Sequence, residues 1–477
     1  MPDADDDAID ALGRLLDRLR VIDAERLRPT VDLAWPRVVT GFAIMSKQTA
    51  DLAMVGIAVG TAGTAGLAFA LGYWSIVVLL GLGLAGGTVS LVSQNYGGGR
   101  EERASLVVKQ SVVVATLLAV PIMLVFALFA PELIGVLGAD PEALRHGTVY
   151  LLVVTPAVLF ELLNLIASRT YTGVGDTFTE MVVRSGGAVL NVVLSVAFIF
   201  GLGMGVAGAA LGTTLSTGAV LVVLGWGMVG RSYGGLGMEP SPVPISRSTP
   251  TVELAIVRQL LEVSTPEIGR RLAQGLVIFP LLWIAASFGP VVVTALEVAR
   301  RVRAMINSIN WGLSLASSSL VGQHLGADEE SEAGAYGAGI IRLGMVVYVV
   351  VGAVVVLLAS PIAGVFVSGA EEVAVTETFV AAAAVSAVGL GLDGTTSGAL
   401  IGAGDTRWPF VASLIGRYAF ALPIAVVGLL TPLGVAGLYL ALIVESSVPG
   451  TINYGLFRSG RWKAVSRRYR PSTDTGH

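Results

Sequence analysis

Twelve apolar runs divide the chain, at about 33–57, 62–93, 105–130, 147–171, 179–201, 206–229, 254–286, 291–323, 334–366, 375–402, 408–430 and 435–457, with glycine, proline or charge between them. A helix needs roughly 20 apolar residues to cross hydrocarbon, so each run predicts one transmembrane helix. The longer runs predict tilt or protrusion into water. The polar stretch SYGGLGMEPSPVPISRSTP, residues 232–250, separates two groups of six. Ahead of the first run, DDDAIDALGRLLDRLRVID spaces Ile9, Leu12, Leu16 and Leu19 at helical intervals with charges on the opposite face. That stretch reads either as a short amphipathic helix on the membrane surface or as an acidic leader. The expected layout is a leader at 1–31, a six-helix lobe at 32–230, a linker at 231–251, a second six-helix lobe at 252–458 and a basic tail at 459–477.

Composition agrees with this pattern. With 54% hydrophobic and 13% charged residues and a mean hydropathy of +0.78, the chain is too apolar for a soluble multidomain protein of 477 residues. The absence of cysteine removes disulfides and thiolate chemistry, and His146, His324 and His477 are too far apart to suggest a metal site. No cofactor, metal or nucleic-acid partner is therefore expected, and a membrane-embedded enzyme is disfavoured. No GxxxxGK[ST] motif is present, so ATP is not expected to act from within this chain. The charged first thirty residues do not read as a cleavable signal peptide. Arginine and lysine gather at the N-terminus, near Arg100 and Arg103, near Arg184 and Arg407, in the linker and in the tail SGRWKAVSRRYRP. Acidic residues dominate the alternate loops, so both termini are expected in the cytoplasm.

The two halves repeat. SLVSQNYG at 90–97 matches SLVGQHLG at 319–326, TGVGDT at 172–177 matches IGAGDT at 401–406, and GVAG at 205–208 matches GVAG at 434–437, all 229 residues apart. Six spans per copy is an even number, so the copies are parallel repeats, the layout of rocker-type secondary transporters with a cavity between the lobes. Nothing resembles a channel's selectivity filter.

These strings, together with NVVLSVAFIFGLGMGVAGAALGTTLS at 191–216, resemble the multidrug and toxic compound extrusion (MATE) family, in its DinF-like prokaryotic branch, over residues 32–458. The resemblance implies an all-α membrane protein of twelve transmembrane helices in two pseudo-symmetric six-helix lobes forming a V. It implies a monomer in the lipid of a prokaryotic cell membrane that exports a small organic substrate, often a cation in the family, in exchange for H⁺ or Na⁺. A lipid-linked saccharide flippase of the same superfamily is the alternative. The family's acidic coupling residue in the first span corresponds to Asp51 in DLAMVG. Its fifth-span Asn and sixth-span Thr correspond to Asn191 and Thr213, while its fifth-span Asp is replaced by Ser195, so a site with two family carboxylates is not expected. The Glu that another branch carries eight residues after a proline becomes Gln274, counting from Pro266, and Asp393 remains in the tenth span.

Ionised side chains are costly in hydrocarbon, so those inside the runs mark cavities or pairs. Lys47 and Asp51, spaced i, i+4 in SKQTAD beside Gln48, share a helix face. They form either a self-neutralising pair or a coupling site in which Lys47 holds Asp51 ionised until a proton competes. In the second case H⁺ is favoured over Na⁺, which wants several oxygen ligands and is repelled by Lys47. In ALEVARRVRAMINSIN, Glu297 and Arg301 are again i, i+4, within a cluster that also holds Arg300 and Arg303. The cluster either glues or gates the second lobe or meets anionic substrates. Asp176 and Asp405 in the GDT turns read as helix caps. Asn164 and Asp393 occupy equivalent positions, facing a cavity or bonding a neighbouring helix. The aromatics Trp74, Trp283 and Trp311 are either drug-stacking residues or interfacial anchors. Candidate cavity residues are thus Gln48, Asn164, Gln274, Glu297, Arg301 and Asp393, beside the coupling set Asp51, Lys47, Asn191, Ser195 and Thr213.

Overall fold

A computed structural model of the chain describes residues 3–138, 140–234, 237–245 and 252–469, with side chains from residue 11 onward. Helices account for all twelve apolar runs. After α1 (Asp3–Arg18) come α2 (Ala24–Val59), α3 (Thr61–Gly97), α4 (Glu101–Val136), α5 (Pro141–Val174), α6 (Thr177–Val196) and α7 (Val206–Met228). The second half holds α8 (Leu254–Leu276), α9 (Ile278–Ser287), α10 (Pro290–Gly326), α11 (Glu330–Leu357), α12 (Ala359–Phe366) and α13 (Ala370–Gly402). It continues with α14 (Arg407–Leu414), α15 (Leu422–Leu430), α16 (Ala436–Arg458) and α17 (Arg461–Tyr469). By length and composition, ten helical segments among the described residues are apolar enough to cross a membrane. The other two long helices, α10 and α16, carry Arg300, Arg301, Arg303 and Glu445 and complete the twelve.

The repeat is visible in the turns. Gly175 and Gly404, each just before a GDT aspartate, have φ of 93° and 81°, and Gly205 and Gly434 have φ of 54° and 58°. A left-handed backbone at equivalent places requires glycine, so the paired GDT and GVAG strings are conserved turns of one supersecondary design. Two π-helical segments, Ala197–Gly201 after α6 and Ile415–Ala421 between α14 and α15, widen helices beside charged side chains. Such π segments are frequent at functional sites.

Contacts divide the chain into two compact units, Pro36–Tyr96 with Arg100–Ile268, and Met1–Trp35 with Gly97–Gly99 and Gly269–His477. The expected lobe boundaries at 32 and 252 lie close to α2 and α8, but the contacts change units inside these helices. The first half of α8 belongs with the N-terminal unit because Gly83, Gly86 and Gly87 of α3 leave room for Ile268, Glu267 and Ser264, and Ser264 Oγ donates to Leu84 O at 3.1 Å.

The leader belongs with the C-terminal unit. Leu16, Val21, Ile22, Leu27 and Leu33 share a core with Val302, Ile306, Leu320 and Ile340. Arg26 makes a forked pair with Glu332, 2.7 and 3.0 Å, and Arg342 Nη1 donates to Arg20 O at 2.7 Å. Of the described side chains on the face expected to lie on the membrane surface, Leu16 is buried, whereas Leu12 and Leu19 are exposed. The Ile9 side chain lies outside the described residues, as do the linker residues 246–251 and the tail beyond 469. Hydrophobic periodicity states that a face will be covered, and in α1 the second unit covers part of it.

Candidate functional site

In the N-terminal unit, the α2, α6 and α7 segments meet at Asp51. Gly208 and Gly212, one turn apart on α7, allow close approach to α6: a Cβ at Gly212 would lie 2.6 Å from Ser195 Oγ, and one at Gly208 would lie 2.9 Å from Ile199 N. Ser195, two residues before the widened turn, donates from Oγ to Asp51 Oδ1 at 2.8 Å. Asn191 satisfies both of its ends when its amide nitrogen faces Asp51, 3.3 and 3.2 Å from the two carboxylate oxygens, while its oxygen accepts from Thr213 N and Oγ1 at 3.1 and 3.2 Å. Asp51 and Thr213 are 6% and 3% exposed, and Asn191 and Ser195 are fully buried. The structure thus gathers four of the five expected coupling residues within hydrogen-bonding distance. It also adds Tyr150 of α5, buried at 2% exposure beside Thr213 and Asp51.

Lys47, the fifth, is half-buried on the same face of α2. It stands four residues before Asp51 on α2, one helical turn away. Glu161 of α5 accepts from Arg184 Nη2 at 2.8 Å. One turn earlier on α6, Glu180 lies 3.3 Å from Arg37 Nη1 and 3.8 Å from Arg169 Nη1, and accepts from Thr172 Oγ1 at 3.1 Å. A column of buried charge therefore runs along α6 from Arg184 through Glu180 to the first GDT turn, where Asp176 accepts from Thr179 N at 2.9 Å as a helix cap. Arg184, read from sequence as a loop residue, lies two turns inside α6 and belongs to this column.

The C-terminal unit encloses a cavity of about 230 Å³. Its charged walls are Arg270, Arg271, Arg300, Arg303 and Arg417, against the carboxylates Asp393 and Glu445. Arg303 forks onto Glu445, with Nη1 at 2.9 Å from Oε2 and Nη2 at 3.5 Å from Oε1, and also donates to Ser446 Oγ. Arg417, inside the second π segment, donates from Nη1 to Ser413 Oγ at 2.6 Å and approaches Glu445 Oε1 with Nε at 3.4 Å. Asp393 accepts from Asn453 Nδ2 at 2.8 Å.

Of the expected cavity residues, Gln274 and Asp393 line this space, as does Trp311. Asn164, Asp393's counterpart, is fully buried and donates to Thr217 O at 3.0 Å, a bond between α5 and α7. Gln48 is exposed. Glu297 is exposed and lies outside the cavity wall, and it takes Arg300 at 3.3 Å, i, i+3, in place of the expected Arg301, which is exposed. Both spacings are neighbours on a helix, so sequence does not choose between them. Trp74 is buried and Trp283 is exposed. Glu161, Glu180, Arg417 and Glu445 escaped the sequence reading, although each is a charge inside an apolar run, the same signal that marked Asp51.

A family model described as MatE matches residues 36–197 and 266–427, one stretch in each repeat and most of the chain. The chain belongs to the MatE family. Among its relatives, a probable multidrug resistance protein NorM from Thermotoga maritima is 26% identical over 83% of this chain and 85% of its own length. The NorM of Bradyrhizobium diazoefficiens is 25% identical over 93% and 95%. The mouse multidrug and toxin extrusion protein 2 is 25% identical over 77% of this chain, which spans 63% of that longer protein. These are transporters rather than enzymes. The fold is that of solved MATE structures: a MOP superfamily transporter from Pyrococcus furiosus superposes with a TM-score of 0.82 at 22% identity, covering 92% of this chain and 96% of its own. A eukaryotic MATE transporter gives a TM-score of 0.82 at 18% identity, covering 94% and 98%. Membership of MatE makes the chain a multi-pass membrane protein of a transporter family.

Proposed function

We propose that this chain is a secondary active antiporter of the prokaryotic cell membrane. It exports drugs or organic metabolites by alternating access in exchange for H⁺, acting as a monomer with both termini in the cytoplasm. The relatives' names supply the substrate class, and the distribution of arginines supplies the orientation. No observation favours the flippase alternative.

The observation that carries proton coupling is the set of groups around Asp51. Ser195 and Asn191 turn hydrogens toward the carboxylate, and Lys47 stands one turn away on α2. A hard cation such as Na⁺ is held by several oxygen ligands, and here the neighbours present donors instead. A proton needs only the carboxylate. Protonation removes the charge that these donors face. Two charge arrangements follow, and a substrate that favours one of them is linked to the proton.

The test is uptake of a cationic rhodamine into inverted proteoliposomes under an imposed ΔpH or an imposed Na⁺ gradient. The ΔpH alone is expected to drive accumulation. Accumulation driven by Na⁺ at zero ΔpH refutes the reading.

A further inference from the structure

Basic residues gather where the last span ends. On α16 the exposed residues Leu440, Thr451, Tyr454 and Arg458 follow one another at helical spacing, which gives this helix a lipid-facing stripe. The stripe finishes in an aromatic and a cation. The Arg458 guanidinium lies over the Tyr454 ring, 6.0 Å from its centre. Such a pair marks the headgroup level of a bilayer, with the ring at the apolar edge and the long side chain reaching the polar side. Only Ser459 and Gly460 separate α16 from α17, with φ of 71° at Gly460, so α17 starts at that same level.

The apolar side of α17 is covered by protein. Trp462 is 1% exposed, stacks on Phe457, donates from Nε1 to Phe457 O at 2.9 Å and shares a core with Val321, Leu325 and Leu400. The opposite side presents Arg461, Arg467 and Arg468, all exposed, with Lys463 at its edge, 5.5 Å from the Trp462 ring centre. Arg467 forks onto Glu330 at 2.7 and 2.6 Å, and Arg468 has Asp405 of the second GDT turn beside it. Arg458, Arg461 and Lys463 have no acidic partner among the described residues. The repeat shows that the fold does not need these three cations. At the offset of 229 residues Tyr233 takes the place of Trp462 and also bonds back to the preceding helix, its hydroxyl to Val223 O at 3.1 Å. Val229, Ser232 and Gly234 take the places of Arg458, Arg461 and Lys463. The docking aromatic is kept and the charges are not.

We propose that Arg458, Arg461 and Lys463 bind the headgroup of an anionic phospholipid in the leaflet that adjoins the end of α16. Basic residues on a helix just outside a span are attracted to anionic headgroups, and the phosphate of phosphatidylglycerol accepts hydrogen bonds from guanidinium and ammonium alike. Phosphatidylcholine carries its own ammonium to the same place, so it meets like charge there. The bound lipid tethers α17 to the membrane and, through Trp462 and Arg467, steadies the ends of α10 and α11 that α17 touches. The site is independent of what the chain transports and of which ion drives it.

The test is native mass spectrometry of the purified full chain in an uncharged detergent with equal amounts of phosphatidylglycerol and phosphatidylcholine. The wild type is expected to retain phosphatidylglycerol about tenfold over phosphatidylcholine, less so with added salt. Arg458→Gln with Arg461→Gln removes two exposed cations and no core contact, and is expected to lower that preference by about fivefold or more. Arg14→Gln with Arg18→Gln removes the same charge from exposed places on α1 and should leave the preference unchanged. Unfolding midpoints without lipid should match in all three proteins, and added phosphatidylglycerol should raise the midpoint of the wild type more than that of the α16–α17 variant. Equal retention of the two lipids by the wild type overturns the proposal, as does an α16–α17 variant that keeps the full preference. An α1 variant that loses as much shows general attraction to basic surface and also overturns it. Release of the retained lipid by millimolar inorganic phosphate identifies a soluble-phosphate site in place of a lipid one.

Discussion

Replacing Glu180 by glutamine tests the buried column of charge along α6. Glu180 is 1% exposed and faces two guanidiniums, Arg37 at 3.3 Å and Arg169 at 3.8 Å, each 6% exposed, and it also accepts from Thr172. Glutamine keeps the shape and one acceptor but leaves two buried cations without this counter-charge. Breaking a buried pair by removing one partner costs about 3–5 kcal/mol. For a unit of this size that lowers the unfolding midpoint by roughly 10 °C. Loss of the Thr172 hydrogen bond alone, in Thr172→Ala, is worth only about 1 kcal/mol. Thermal unfolding of the purified protein in detergent, followed by fluorescence-detected gel filtration, reads both. The double variant Arg37→Leu with Glu180→Leu leaves one buried cation rather than two, so it should be more stable than Glu180→Leu alone. A Glu180→Gln midpoint equal to that of Thr172→Ala, or a double variant less stable than the single one, refutes the assignment of Glu180 as the counter-charge.

Three further outcomes follow from the same geometry. A Cβ at Gly398 would strike the Ser314 carbonyl, so Gly398→Ala should cost about 1–3 kcal/mol and lower the unfolding midpoint, whereas Gly225→Ala, which meets nothing within 4 Å, should raise it slightly. Burial holds the Asp176 carboxyl above its ordinary range, against the hydrogen bonds from Thr179. A raised folded value means that this contribution is greatest below the unfolded value and is lost as pH rises through the folded one, so Asp176→Asn, still a cap, should flatten the midpoint's fall between acidic and neutral pH. Tyr150→Phe should fold normally, because Phe379 occupies that place in the second half, but should alter the pH dependence of transport by removing a buried hydroxyl beside Thr213 and Asp51; an unchanged pH profile counts against its role.

Much of the architecture was legible because hydrocarbon thickness fixes the length of an apolar run and backbone geometry fixes glycine at positive φ. The twelve spans and the paired GDT turns followed from those two constraints. Asp51, Asn191, Ser195 and Thr213 were also named from sequence, by resemblance and by position. Their partners were not. Tyr150 and Glu161 come from α5, and nothing in a local pattern says that α5 delivers them to α2, α6 and α7. Glu161, Arg417 and Glu445 were each visible as a charge in an apolar run, but their partners lie more than twenty residues away in the chain. Arg184 was misassigned because an arginine two turns from a turn counts equally as loop or helix in a charge tally. The leader showed an amphipathic face, and periodicity could not say that the C-terminal unit rather than lipid would cover Leu16, Ile22 and Leu27.

The central claim is that Asp51 carries the coupling proton. Proton influx and rhodamine export measured together in proteoliposomes at zero membrane potential test it most directly, in wild type and in Asp51→Asn. The account predicts that proton influx tracks export in wild type and that the variant loses ΔpH-driven export while still binding the dye. Full proton-driven export by Asp51→Asn would contradict it.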